Sequence, residues 1–242
     1  MAKIKKIEIE GFLNQGNFKW ELDPVVIILG GKNGSGKTSI LMLCHALLCD
    51  RGIDDSLNRT LMRVFNKATL TLDNGYVLHW SKDTTDCDIH SPKAEIRSYL
   101  ITQMMDSSEI DILIDQQIDQ NRKHPSNHQF SETLERFLMN YDKPYSSDFI
   151  FSRNGHSVKW KHFSMGEKRI FLLLLTVYNM RSEPSILLLD SPELCMHIDW
   201  QEILIKELHA INPNMQIIAA THAPCIITGW MDKVREVSQL VI

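Results

Sequence analysis

Eight residues, Gly31-Lys32-Asn33-Gly34-Ser35-Gly36-Lys37-Thr38, constrain this chain more than any other stretch. They fit the spacing G-x-x-x-x-G-K-[ST] at every fixed position. The apolar run Val25–Leu29 leads in, and an amphipathic stretch from Thr38 to Leu48 leads out. Strand, glycine-rich turn and helix in that order aim backbone N–H groups and the positive end of a helix at an anion. Lys37 is then placed to reach the β- and γ-phosphates of a nucleotide, and the Thr38 hydroxyl to ligate Mg²⁺. A nucleoside triphosphate site follows, built from Asn33, Gly34, Ser35, Gly36, Lys37, Thr38 and Ser39.

The 242 residues suffice for one large domain with a sizeable core. A net charge of −4 argues against a surface that coats nucleic acid as a whole, and leaves room only for a local basic patch. The five cysteines, Cys44, Cys49, Cys87, Cys195 and Cys225, lack C-x-x-C spacing and read as reduced thiols, which points to a cytoplasmic protein. Met1–Glu10 alternates lysine with isoleucine and reads as a strand, not a signal peptide. The longest apolar runs, such as Phe171–Leu175, are too short to span a bilayer, so no membrane partner is expected.

Period-two alternation marks strands at Ile4–Phe12 and Phe18–Leu22, and Asp73-Asn74-Gly75 marks a hairpin between Ala68–Leu72 and Tyr76–Trp80. Together they imply an antiparallel sheet beside the glycine-rich loop. Ile96–Thr102 reads as a further strand, Asp106–Asp119 as a helix with Ile110, Leu113, Ile114 and Ile118 on one face, and Thr133–Met139 as a short helix. Residues 121–128 form a polar break, and Arg153-Asn154-Gly155 suggests a second hairpin.

In the second half, Ser164-Met165-Gly166-Glu167 opens the apolar helix Ile170–Tyr178 with the pattern of a capping box. Ile186–Asp190 is a buried strand ending in an aspartate suited to hold Mg²⁺. Ser191-Pro192-Glu193 follows, then Met196–Asp199 opening a helix to Ile211. Gln216–Ala220 is a strand that runs into Thr221-His222.

This ordered set resembles the ABC-type ATPases, and within them the recombination and SMC branch with its small OLD-type relatives. In that family's terms Gly31–Thr38 looks like the Walker A loop, Gln103 like the Q-loop glutamine and Ser164–Glu167 like the signature motif. Ile186–Asp190 looks like Walker B, Met196–Asp199 like the D-loop and His222 like the switch histidine. The resemblance spans residues 3 to about 228. It implies an α/β P-loop fold: a mainly parallel core sheet, an antiparallel N-terminal sheet and a helical lobe inserted at about residues 91–151, all in a single domain over 1–242. It also implies ATP and Mg²⁺ as cofactors, metal held through Thr38, Gln103 and Asp190, and phosphate capped from a second copy by Ser164, Gly166 and Glu167. Met165 departs from the small residue usual at its place.

Two departures bear on activity. The family usually carries Glu after the Walker B aspartate, and this chain has Ser191, whose hydroxyl is no useful general base near neutral pH. Glu193, His222 and Gln103 are the remaining catalytic candidates, and ATP hydrolysis is expected to be slow or to depend on a partner. The inserted segment, about 60 residues, leaves no room for a coiled-coil arm.

The expected function is an ATP-gated homodimerising switch that controls a separate effector protein such as a nuclease, in keeping with the anti-phage modules in which small relatives occur. The alternative is the nucleotide-binding subunit of a transporter. Pro192-Glu193 with Met196-His197-Ile198-Asp199-Trp200 looks like the recombination branch and favours the first. Direct DNA contact through Lys159, Lys161, Lys168 and Arg169 is a further candidate, against a solvated face as the plainer reading.

Overall fold

The computed structural model describes residues 3–49, 55–83, 97–103, 105–122, 128–142 and 149–242. The chain divides into two compact units. The first unites residues 1–102, 184–192 and 214–242; the second unites 103–183 and 193–213.

The first unit holds two sheets. Strands β1 (Ile4–Phe12), β2 (Gly16–Glu21), β4 (Lys67–Leu72) and β5 (Val77–Ser81) form an antiparallel sheet in the order β2-β1-β4-β5. It alternates as the sequence predicts, with Ile7 and Ile9 facing inward and Lys6, Glu8 and Glu10 outward. Strands β3 (Val26–Gly30), β6 (Ser98–Ile101), β9 (Ile186–Asp190), β10 (Gln216–Ala220) and β11 (Val234–Glu236) form a parallel sheet in the order β11-β3-β10-β9-β6. Every residue of β3, β9 and β10 is buried, which explains their unbroken apolar runs. Helix α1 (Lys37–Leu48) packs on β6, β9 and β10 and also on β5, so it is held between the sheets. Its Ile40, Leu41, Leu43, Cys44 and Leu47 join Trp20, Phe12 and Phe65 in one core.

The Gln216 side chain fastens the two sheets. Gln216 is fully buried at the start of β10; its Oε1 accepts from Ile4 N at 2.8 Å, and its Nε2 donates to the carbonyls of Ile4 and Asp23 at 2.9 Å each. Asp23 in turn accepts from Val25 N (2.9 Å) and pairs with Lys233 (2.8 Å), so the entry into β3 is pinned before the loop begins. The Lys233 ammonium and the Val25 amide outweigh burial and hold the Asp23 carboxyl below its ordinary range.

The second unit is helical with one hairpin. Helix α3 (Ser107–Arg122) packs along α5 (Met165–Asn179), and α4 (His128–Phe137) packs on α5 and on α6 (Ile198–Ile211). Strands β7 (Ile150–Arg153) and β8 (His156–Lys159) pair antiparallel. An aromatic chain through Phe130, Phe149, Phe151, Phe163 and Phe171 fills the space between hairpin and helices.

Several expectations shift. Helix α4 begins earlier than the predicted Thr133, because Phe130, Leu134 and Phe137 make a continuous buried stripe at spacings of four and three. Strand β11 and the short helices α7 (Pro224–Ile227) and α8 (Val237–Leu240) are too short to carry a legible period, and the amphipathic helix α2 (Asp55–Val64) adds an element to those expected. The predicted strand from Ile96 is observed as Ser98–Ile101, and residue 96 lies outside the described residues, as do Cys87 and most of the predicted polar break.

Candidate nucleotide site

The parallel order of the first unit sets the carboxyl ends of β3, β10 and β9 side by side, with Ala220 in register with both Leu29 and Asp190. The glycine-rich loop leaves β3, Thr221-His222 leaves β10 and Asp190-Ser191 ends β9. Thr38 and Asp190, 152 positions apart in sequence, therefore meet at the carboxyl end of the sheet, where α/β folds place their ligands.

The loop is shaped by close approach. Gly36 caps α1 with φ +90°, and a Cβ there would press on the Phe12 ring at 2.8 Å. Only glycine meets both conditions. The first turn of α1 has no side-chain cap and no acidic residue, so nothing of its own competes with an anion at its positive end. Lys37 is only 7% exposed and curls into the loop, where its Nζ donates to the carbonyls of Gly31 (2.7 Å) and Lys32 (3.0 Å). Ser35 Oγ is buried without a partner among the described residues, an orphan of the kind that marks a place for a ligand.

Thr38 Oγ1 lies 3.0 and 3.1 Å from the two oxygens of Asp190, itself 2% exposed. A buried carboxylate beside a hydroxyl is a pair of hard oxygen donors, the chemistry Mg²⁺ selects. The residues present therefore fit a divalent cation, and Thr38 and Asp190 are the ones that would hold it. Ser191 follows with φ +50°, its N–H donating to Ala220 O at 2.8 Å. His222 is exposed at the end of β10, and the turn after it is closed by Ala223 N donating to Thr221 Oγ1 at 3.0 Å. Lys37, Thr38, Asp190, Ser191 and His222 are thus brought together.

The other candidates lie in the second unit. Ser164 caps α5 in a complete capping box: its Oγ accepts from Glu167 N at 3.3 Å, and Glu167 Oε2 accepts from Ser164 N at 2.7 Å. Gly166 is packed against the carbonyl of Cys195, so tightly that any Cβ would collide with that oxygen. Cys195 has φ +63°, a strained conformation that aims its carbonyl at the helix turn. Gly166→Ala should therefore force the two segments apart. The expected result is a fall in melting temperature of several degrees with nucleotide binding retained, read by calorimetry and thermal melts. An unchanged melting temperature would show the contact to be slack. Glu193 is half-buried, with its carbonyl accepting from Met196 N at 3.0 Å.

Arg169, named from the sequence only as part of a basic patch, has a different place in the structure. It is 8% exposed, and its Nη2 donates to the carbonyls of Gln103 (3.3 Å) and Met105 (3.2 Å), so the helix behind Ser164 holds the backbone of Gln103 directly. Lys168, also 8% exposed, pairs with Asp111 at 2.7 Å. The basic patch read from the sequence is corrected accordingly: Lys168 and Arg169 face inward as internal ties, while Lys159 and Lys161 stay exposed, Lys161 within 3.5 Å of Asp115. The sequence signal for such burial is weak, because a cation in the first turns of a helix usually faces water.

Sheet order, loop and carboxylate together define the P-loop fold of the ABC-type ATPases. The chain belongs to the family described as "AAA domain, putative AbiEii toxin, Type IV TA system", whose pattern matches residues 87–228. Among characterised proteins it is 25% identical over 162 residues to "Retron Vc95 probable ATPase" of Vibrio cholerae serotype O1 biovar El Tor, covering 56% of this chain and 31% of that protein. It is 33% identical over 88 residues to "Retron Ec83 probable ATPase" of Escherichia coli, covering 32% and 16%. The matches span less than a third of either relative's length. Among solved structures, an Smc head domain with an extended coiled coil, bound to the C-terminal domain of ScpA from Pyrococcus furiosus, superposes with a TM-score of 0.65 at 12% identity, covering 94% of this chain and 92% of that one. Among the described residues no helix is long and apolar enough to cross a membrane.

Proposed function

We propose that this chain is an ATP-gated switch: two copies close on two ATP molecules with Mg²⁺, hydrolyse them slowly, and report the closed state to a separate effector protein in a cytoplasmic bacterial defence module. The observation that carries this reading is a site equipped for binding and lacking the usual base. Lys37 is tied to the loop carbonyl of Gly31, Thr38 Oγ1 lies 3.0 Å from Asp190, and Ser191 follows Asp190 at the position where the family usually carries Glu, which supports the reading. The matched family description and the two retron names support the defence setting. The likeness to an Smc head supports the fold on which the reading depends.

In this reading the capped N-terminus of α5, presented by Ser164, Gly166 and Glu167, covers the γ-phosphate held by the other copy. The nucleotide then joins the two faces, and its binding energy is what drives association. Gln103, His222 and Glu193 are the candidates for contact with the γ-phosphate and for residual hydrolysis. Pro192-Glu193 and the residues after it match the recombination branch better than the transporter pattern, which is why the transporter reading ranks second.

Sedimentation velocity with and without ATP and Mg²⁺ tests the switch. Monomer should convert to dimer with ATP, and Ser164→Arg should block the conversion by setting a bulky side chain where the other copy's phosphate belongs. Normal dimerisation of that variant would overturn the role assigned to Ser164.

A further inference from the structure

Tyr141 belongs to none of the motifs, yet it is built into the turn that presents Ser164. Its ring is 9% exposed and locked between Phe163 at 4.8 Å and Phe151 at 6.0 Å between centroids. Phe163 directly precedes Ser164, so the ring is fixed against the cap itself. The Tyr141 hydroxyl donates to the Glu167 carboxylate, the same group that accepts from Ser164 N at 2.7 Å. On the other side the Arg153 guanidinium lies 5.5 Å from the Tyr141 ring centroid and donates to the Tyr141 oxygen. Arg153 is exposed and ends β7, at the tip of the hairpin.

We propose that Tyr141 is a positioning residue that fixes the capping box of α5 through Glu167, and that Arg153 is its surface handle. The physical argument has three steps. A Glu side chain at the third position of a helix has free rotamers, and a capping box forms only while the carboxylate points back to the cap. A second donor on that carboxylate, held by a rigid ring, removes the alternatives. Arg153, by donating to the hydroxyl oxygen, polarises the O–H and strengthens the bond it gives to Glu167, since linked hydrogen bonds reinforce one another.

Within this unit the chain of contacts Arg153–Tyr141–Glu167–Ser164 thus runs from an exposed hairpin tip to the residue proposed to cap ATP in the second copy. Burial and the Glu167 charge both push the Tyr141 hydroxyl above its ordinary range, so it stays a donor throughout the neutral range. For its consequence in dimerisation the inference rests on the switch reading above, but its effect on the capping box does not.

The test uses Tyr141→Phe, which keeps the ring and its stacking and removes only the hydroxyl. Hydrogen exchange followed by NMR at the Ser164 amide reads the box without any dimer. Exchange should speed up about tenfold, the loss expected for one bond to a charged group. Exchange unchanged from wild type would overturn the proposal. Sedimentation with ATP and Mg²⁺ reads the consequence. Tyr141→Phe should weaken ATP-driven dimerisation about tenfold while leaving monomer nucleotide affinity unchanged, and Arg153→Gln should weaken it less, in the same direction.

In a Glu167→Ala background Tyr141→Phe should add nothing further, because its effect passes through that carboxylate. An additive loss would overturn the proposal. If wild-type protein does not dimerise with ATP, the switch reading fails and the exchange measurement alone decides the role of Tyr141.

Discussion

Replacing Lys37 with alanine should eliminate measurable ATP binding. Its ammonium is the cation that the glycine-rich loop holds in place, gathered inside by the carbonyls of Gly31 and Lys32. Two losses act in one direction. The phosphate loses a charge-assisted partner, and the loop loses the donor that draws those two carbonyls together. Each hydrogen bond to a charged group is worth about 1.5–3 kcal/mol, so removal of both functions should weaken binding by about 10²–10³-fold. Titration calorimetry on folded mutant protein reads this directly. Affinity equal to wild type would show that the nucleotide binds elsewhere.

The second large effect concerns turnover. Ser191→Glu should raise ATP hydrolysis at least tenfold, and shorten the life of the ATP-bound dimer, because a positioned carboxylate typically supplies about 10²–10⁴-fold in proton transfer. The backbone is already prepared for the change. Ser191 has φ +50° and is anchored through its N–H to Ala220, so glutamate inherits a conformation whose cost the serine already bears. The side chain at 191 is half-exposed and leaves room for a longer group. Steady-state phosphate release decides the matter. Wild-type protein turning over ATP at a rate the substitution does not increase would mean that another group, Glu193 foremost, already serves as the base.

One prediction begins from a residue within a motif and the other from the residue after one, and that is where sequence reading is strongest. The loop at 31–38, the strand before it and the helix after it needed no tertiary information, because one short segment carries turn, charge and helix start together. The same holds for the Ser164–Glu167 capping box, whose two reciprocal bonds join residues three apart. The alternating strands of the antiparallel sheet were legible because one face is buried and the other wet. Where a segment is short or lacks that contrast, as in β11 with one half-buried valine and two exposed residues, pairing with β3 is the whole reason it is a strand.

Sequence alone determined what each local segment is: a glycine-rich turn between strand and helix, a buried strand ending in Asp190, a capped helix at Ser164, a serine directly after that aspartate. These properties are set by a few neighbouring residues and by hydrophobic period, so they survive without knowledge of the fold. Only the tertiary structure decided which segments touch. It put Thr38 Oγ1 within 3.1 Å of Asp190, turned Lys168 and Arg169 from a presumed basic surface into internal ties, used Gln216 to join two sheets, and set Tyr141 on Glu167. The reason is physical. Burial of a polar or charged group depends on partners far along the chain, and those partners are chosen by the packing of whole elements, which no local pattern records.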